Sequence, residues 1–219
     1  TKYPDLKTDS LEYLQKHKIF YTFNKINLLN QALTHKSLKN NYSENYEKLE
    51  FLGDSIVECF ISQFIFIVFK NYLNPDIKIK NEINEEYEKI IKEKSKLFSN
   101  KYMCNIKSYL CSNYFMCKLT ALLGLYNYIQ LGNSQALINQ KLNYSKDNNI
   151  NKLIESDLNE YAPIEVEHPK IMADIFEALV GAIYIDSDLK ITYDFLKMIY
   201  GPSICYCCFN FDKLNFSLI

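Results

Sequence analysis

The stretch Ile171-Met172-Ala173-Asp174-Ile175-Phe176-Glu177-Ala178-Leu179-Val180-Gly181-Ala182-Ile183-Tyr184 decides how this chain is read. Asp174 and Glu177 are its only charged residues, and at a spacing of three they share one face of a helix. A helix apolar nearly all round is normally buried. An ionised carboxylate inside a core costs several kcal/mol unless something partners it. Lys170, one turn before Asp174, is one candidate partner. A hard divalent cation is the other, and Mg2+ suits a few carboxylates together with waters and phosphate oxygens. Spacing alone leaves both open. The small residues Ala173, Ala178, Gly181 and Ala182 would let a second helix approach closely.

That second helix is read upstream, in Glu47-Lys48-Leu49-Glu50-Phe51-Leu52-Gly53-Asp54. Glu47, Glu50 and Asp54 are three and four residues apart, so their carboxylates line one face and repel one another. A solvated acidic face would tolerate this. The neighbours Phe51, Leu52, Ile56, Val57 and Phe60 instead make the helix apolar and set its acids at the edge of a core.

Working outward, the chain reads as helices throughout. Asp9 caps a helix through Leu11 and Leu14, and Leu28, Leu29, Ala32 and Leu33 recur at helical spacing. Residues 44–70 form one long helix, ended by Asn74-Pro75. Residues 76–107 are rich in Lys and Glu and read as charged amphipathic helices. Ser108 to Leu131 reads as another mostly apolar helical stretch, closed by Gly132-Asn133. Residues 139–168 are polar and the most loop-like part, with Asn- and Lys-rich sequence to 161. Pro169 opens the decisive helix, which runs to about Ile185; Asp186-Ser187 breaks it and caps a last helix through Leu196. Glycine and proline are scarce, five of each among 219 residues, and no strand pattern is visible. The fold class is all-α, read as a single domain spanning residues 1–219.

Formal charge is −1, so any polyanion binding must come from a local patch. Lys92, Lys94, Lys96, Lys101 and Lys107 form either a phosphate-binding edge or a solvated charged face. Seven cysteines, an odd number in a chain this large, favour reduced thiols in an intracellular protein, cytoplasmic or nuclear, over a disulfide framework. Cys205-Tyr206-Cys207-Cys208 lacks the paired spacing and nearby histidine of a zinc site. The longest apolar run, Phe64 to Phe69, is too short to cross a bilayer, and no signal peptide is visible, so no membrane partner is expected. A chain beginning at Thr1 is expected to be a trimmed piece.

The two acidic segments carry a resemblance. Tyr46 to Asp54 (YEKLEFLGD) resembles the signature of the ribonuclease III family, and Lys170 to Ser187 (KIMADIFEALVGAIYIDS) resembles that family's second helix. Ala32-Leu33-Thr34-His35-Lys36-Ser37 and Tyr109 to Gly132 resemble its intervening elements. The similarity covers about residues 28–196. It implies an all-helical endonuclease domain, a helical bundle with a polar insertion, that dimerises and cleaves double-stranded RNA to leave 5′-phosphates and short 3′ overhangs.

By position, the resemblance implies that Glu50, Asp54, Asp174 and Glu177 ligate Mg2+, with Mn2+ as a substitute, and that Glu47 supports them. It also implies that Phe51 plugs a socket in a second copy of the chain, a homodimer; the other reading of Phe51 is a core phenylalanine. His35 is read as orienting a helix junction. Pro169-Lys170 and the polar insertion lean toward the Dicer and Drosha class, where Lys170 either meets the scissile phosphate, tunes the acids, or makes a local salt bridge. No double-stranded-RNA-binding domain is seen in these residues. The rivals are a non-catalytic ribonuclease III-like module, which would typically lose one of the four acids, and a di-iron bundle, which needs a Glu-x-x-His motif on two helices and finds none.

Overall fold

The computed structural model describes residues 8–38, 45–73, 100–132 and 170–209. The described residues are helical, as expected, in the order α1 (Thr8–Leu14), α2 (Ile26–Ala32), α3 (Glu47–Leu73), α4 (Asn100–Leu110), α5 (Asn113–Leu122), α6 (Lys170–Asp186) and α7 (Leu189–Phe209). A π-helical turn, Gln15–Ile19, follows α1, and a 3-10 turn, Leu125–Tyr128, follows α5. Asn74-Pro75 and the insertion at 139–168 lie outside the described residues, as does most of the charged segment 76–107.

The hub is α6. Every residue from Met172 to Ile183 is buried, and α2, α3, α5 and α7 all pack against it. On α5, Thr120 donates its hydroxyl hydrogen bond to the Met172 carbonyl at 2.6 Å. Such a helix needs apolar residues on all sides, which is what the sequence supplies.

The packing of α3 on α6 is backbone against backbone. A Cβ added at Gly53 would fall 1.8 Å from the Glu177 carbonyl oxygen, and one at Gly181 would fall 2.2 Å from the Leu49 carbonyl oxygen. Each helix thus contributes one glycine to the crossing, and each glycine receives a carbonyl of the other. Leu49, Val57, Phe60 and Ile61 then seal the inner face of α3 into the core.

By length and composition the stretch Glu47–Lys70, with mean hydropathy 1.7, is apolar enough to cross a membrane, although its longest uninterrupted apolar run is short. It also carries Glu50, Asp54 and Glu58, and one face of it packs along α6, while Phe51, Phe66 and Ile67 on its other faces are exposed.

Three boundaries differ from the sequence reading. Ser108 to Leu131 is not one helix: Ser112 interrupts it and caps α5, its hydroxyl accepting from the Phe115 N–H at 3.2 Å, and Gly124 then turns the chain at φ 67°. The cap of α7 is Asp188, which accepts from the Ile191 N–H at 2.8 Å. Asp186 instead ties the N-terminal segment to the hub, accepting from the Tyr21 hydroxyl at 2.8 Å and from the backbone N–H groups of Asn24 at 2.7 Å and Lys25 at 2.8 Å. Finally, α7 runs past Leu196 and through Gly201-Pro202, because Tyr200, Ile204 and Cys207 continue its buried face.

Gly53→Ala and Gly181→Ala should each lower stability by roughly 1–3 kcal/mol or more, since the clash is with rigid backbone. Gly201, whose added Cβ meets nothing within 4 Å, is the control. Thermal melts of the three variants check this, and a loss at Gly201 equal to the other two would contradict it.

Candidate metal centre

The glycine crossing sets the acids of α3 beside those of α6. Carboxylate oxygens of Glu50, Asp174 and Glu177 all lie within 4.8 Å of one another. Among the described residues this is the one group of three or more potential ligands that converges so closely. Asp174 and Glu177 are 6% and 8% exposed, and Glu50 is half-buried.

Asp54 stands one turn beyond Glu50 and is exposed. It lies outside the close triad, yet its charge acts on Glu177. Glu47 is not part of the cluster. It is exposed, its carboxylate pairs with Lys36 at 3.1 Å and accepts from the Asn45 amide at 3.3 Å, while Asn45 caps α3 through the Glu47 N–H at 2.9 Å.

Lys170 reaches into the triad. Its ammonium contacts Asp174 Oδ1 at 2.5 Å and Glu50 Oε1 at 3.4 Å. The other Asp174 oxygen, Oδ2, accepts from the Tyr46 hydroxyl at 3.2 Å. Tyr46 was not singled out by sequence, because its partner is far along the chain. Its only signal there is a phenol placed one turn before Glu50.

His35 is buried but sits at a junction behind the cluster. The Ser37 N–H donates to His35 Nδ1 at 3.1 Å, and Ser37 Oγ accepts from the Gly132 N–H at 3.0 Å. The His35 backbone N–H donates to the Gln130 carbonyl at 3.0 Å, and its ring packs on Tyr46 at 5.4 Å. His35 therefore supports the segment that delivers Tyr46. Phe51 is 79% exposed, which excludes its reading as a core phenylalanine.

Of the lysines considered for a phosphate edge, Lys107 is paired with Glu58 at 3.1 Å, Lys101 is exposed, and Lys92, Lys94 and Lys96 lie outside the described residues. All seven cysteines are free thiols. Burial pushes Cys207 and Cys208 up to about 12.

Electrostatics follow from this crowding. Burial, then the charges of Asp54, Asp174 and Glu50, push the Glu177 carboxyl from its usual 4.5 to about 8. Burial and then Asp174 raise Glu50, against the pull of Lys170. Burial and then Glu58 raise Asp54, against the pull of Lys107 and Lys170. Three carboxylates offset by a single ammonium leave an excess of negative charge, and such an oxygen-donor set fits a hard divalent ion that keeps several waters.

The family profile described as Ribonuclease III domain matches residues 47–188, more than half of the chain. This chain belongs to the ribonuclease III family. Among curated proteins it is 27% identical over 200 residues to Ribonuclease 3 of Rickettsia bellii and 28% identical over 200 residues to that of Rickettsia massiliae. In both cases 90% of this chain is covered, and the chain spans 65% of the relative's length.

Among solved structures, the nuclease domain of ribonuclease III from Campylobacter jejuni superposes with a TM-score of 0.57 at 22% identity, covering 90% of this chain and 97% of that one. A second structure of that domain, described for flexibility in a region involved in dimer formation, gives 0.53 at 22% identity, covering 87% and 96%. These likenesses establish the fold.

A carboxyl raised on folding stabilises the protein below its usual pKa and loses that contribution as pH rises through the folded value. Glu177 therefore makes the metal-free protein less stable between pH 4.5 and about 8, and Glu50 and Asp54 act in the same direction. Melting in a chelator should fall over that window, and Glu177→Gln should flatten the decline. An unchanged slope in the variant would contradict the assignment. Mg2+ should restore the loss at high pH, because its ligands must be deprotonated.

Proposed function

We propose that this chain is a single ribonuclease III-type domain that hydrolyses phosphodiester bonds of double-stranded RNA, leaving 5′-phosphates and short 3′ overhangs, in small-RNA or ribosomal-RNA processing. The observation that carries this is the meeting of Glu50, Asp174 and Glu177, with Asp54 beside them, at one helix crossing.

Glu50, Asp54, Asp174 and Glu177 would hold Mg2+ or Mn2+. When bound, the ion supplies Lewis acidity toward the phosphate and lowers the pKa of its water. The chain itself fixes the geometry. The glycine crossing sets the separation of the two pairs of acids, and the Tyr46 hydroxyl holds Asp174 Oδ2 so that its other oxygen faces the site. Glu47, anchored on Lys36 and Asn45 outside the triad, acts as a supporting acid.

The working form is a homodimer. On α3, Phe51, Ser55, Glu58, Ser62 and Phe66 recur every three or four residues, and all are exposed. A face with Phe51 79% and Phe66 60% exposed, continuous with the acids, suits a second copy with Phe51 as the anchor. Two-fold symmetry would then present two sites to a duplex, one for each strand.

The reading as a non-catalytic partner module is disfavoured by the retention of all four acids and by the convergence of three of them. The lean toward the Dicer and Drosha class rests on Lys170 and on residues outside the described ones, whereas the relatives named above are bacterial; nothing in the site's chemistry depends on it. Seven free thiols suit a reducing intracellular setting.

Purified protein with long duplex RNA and Mg2+ should give staggered products, and Glu177→Gln should slow cleavage by roughly a hundredfold or more. Absence of Mg2+-dependent cleavage by the unmutated chain would favour the scaffold reading. Phe51→Asp should give a folded monomer by sedimentation and circular dichroism, with little cleavage and a lower, less concentration-dependent melting temperature. A Phe51→Asp protein that still sediments as a dimer would contradict the proposed interface.

A further inference from the structure

Lys170 occupies an unfavourable place for its charge. It is the first residue of α6, where the free N–H groups of a 17-residue helix already present partial positive charge. What holds the ammonium there is a pair of carboxylates, Asp174 at 2.5 Å and Glu50 at 3.4 Å. These are two of the three acids of the triad. The ammonium and a metal ion would therefore draw on the same carboxylates: Lys170 sits on Asp174 Oδ1 and Glu50 Oε1, and the Tyr46 hydroxyl bonds the remaining Asp174 oxygen, Oδ2.

The lysine is also free to leave. Its side chain is 67% exposed, whereas the Asp174 side chain it grips is 9% exposed. The acids are fixed by two packed helices, and the cation sits on a flexible four-carbon stem at the solvent edge. A tight set of carboxylates without counter-charge would be costly in the metal-free protein, and Lys170 meets part of that need.

We propose that Lys170 is a displaceable stand-in cation, which neutralises the ligand set of the metal-free protein and is evicted from Asp174 and Glu50 when a divalent ion binds. This rests on the reading of the triad as a metal site. Metal uptake is then an exchange of one cation for another, and its apparent affinity is set by the difference between the two. The lysine also keeps the acids assembled and protected from repulsion until the ion arrives.

The test is Mn2+ binding to the full chain by calorimetry, with melting in chelator and in Mn2+. Lys170→Met keeps the stem and removes the charge. It should lower the melting temperature in chelator, tighten Mn2+ binding by roughly five- to a hundredfold, and enlarge the Mn2+-induced rise in melting temperature. Lys36→Met removes an equal charge from Glu47, outside the triad, and should tighten binding far less.

Equal or weaker binding by Lys170→Met overturns the exchange while leaving the metal site standing, as does equal tightening by Lys36→Met, which would mark a general field. No Mn2+ binding by either protein overturns both the exchange and the metal reading. If Lys170→Met does not fold, lysine side-chain NMR of the unmutated chain decides. Saturating Mg2+ should move one ammonium signal to a solvent-exchanging position, and an unmoved signal overturns the proposal.

Discussion

Acids on two helices can share one ion only if the helix backbones come close together, and that contact is the constraint on which the molecule turns. Gly53 lies against the Glu177 carbonyl and Gly181 against the Leu49 carbonyl, with no room for a Cβ at either point. The glycines and the acids are close neighbours along both helices: Glu50, Gly53 and Asp54 on α3, and Asp174, Glu177 and Gly181 on α6. Loss of the close approach would separate the carboxylates of α3 from those of α6. Stability and site geometry are thus served by the same contact.

The close approach has an electrostatic consequence. It drives carboxylates into one low-dielectric corner, and Glu177, held deep in it, keeps its proton to about pH 8. Lys170 and the Tyr46 hydroxyl, one at each oxygen of Asp174, partly relieve the rest. The junction of Thr34, His35 and Gln130 acts at one remove, since the Tyr46 N–H bonds the Thr34 carbonyl at 3.0 Å. A continuous path of backbone and side-chain contacts therefore links the helix junction to the acids, without His35 reaching the reacting groups.

How much of this was visible in the sequence depended on whether a feature was local. The burial of α6 was legible because a helix with only two charges among apolar residues must be packed on nearly every side to stay out of water. Its acids and those of α3 could be paired because both segments carry the family pattern. Small residues on α6 announced a close neighbour, but the contact of Gly53 with Glu177 spans most of the chain, and no local spacing encodes it.

The same holds for Tyr46 and Asp174. Local chemistry also misled where two signals competed: Asp186-Ser187 looks like a cap, yet Asp188 takes that role because Asp186 is engaged with Tyr21, Asn24 and Lys25. The apolar stretch around Ser112 hid a break that one hydroxyl cap was enough to make. Phe51 was ambiguous for a different reason, since an aromatic bound for a core and one bound for a partner look alike until exposure is known.

The most direct test of the metal centre is the position of a bound ion. In crystals of the unmutated chain grown with Mn2+, an anomalous peak should lie about 2.1 Å from oxygens of Glu50, Asp174 and Glu177. An ion bound elsewhere, or these three carboxylates left without one at saturating Mn2+, would contradict the claim that the glycine crossing exists to build a metal centre.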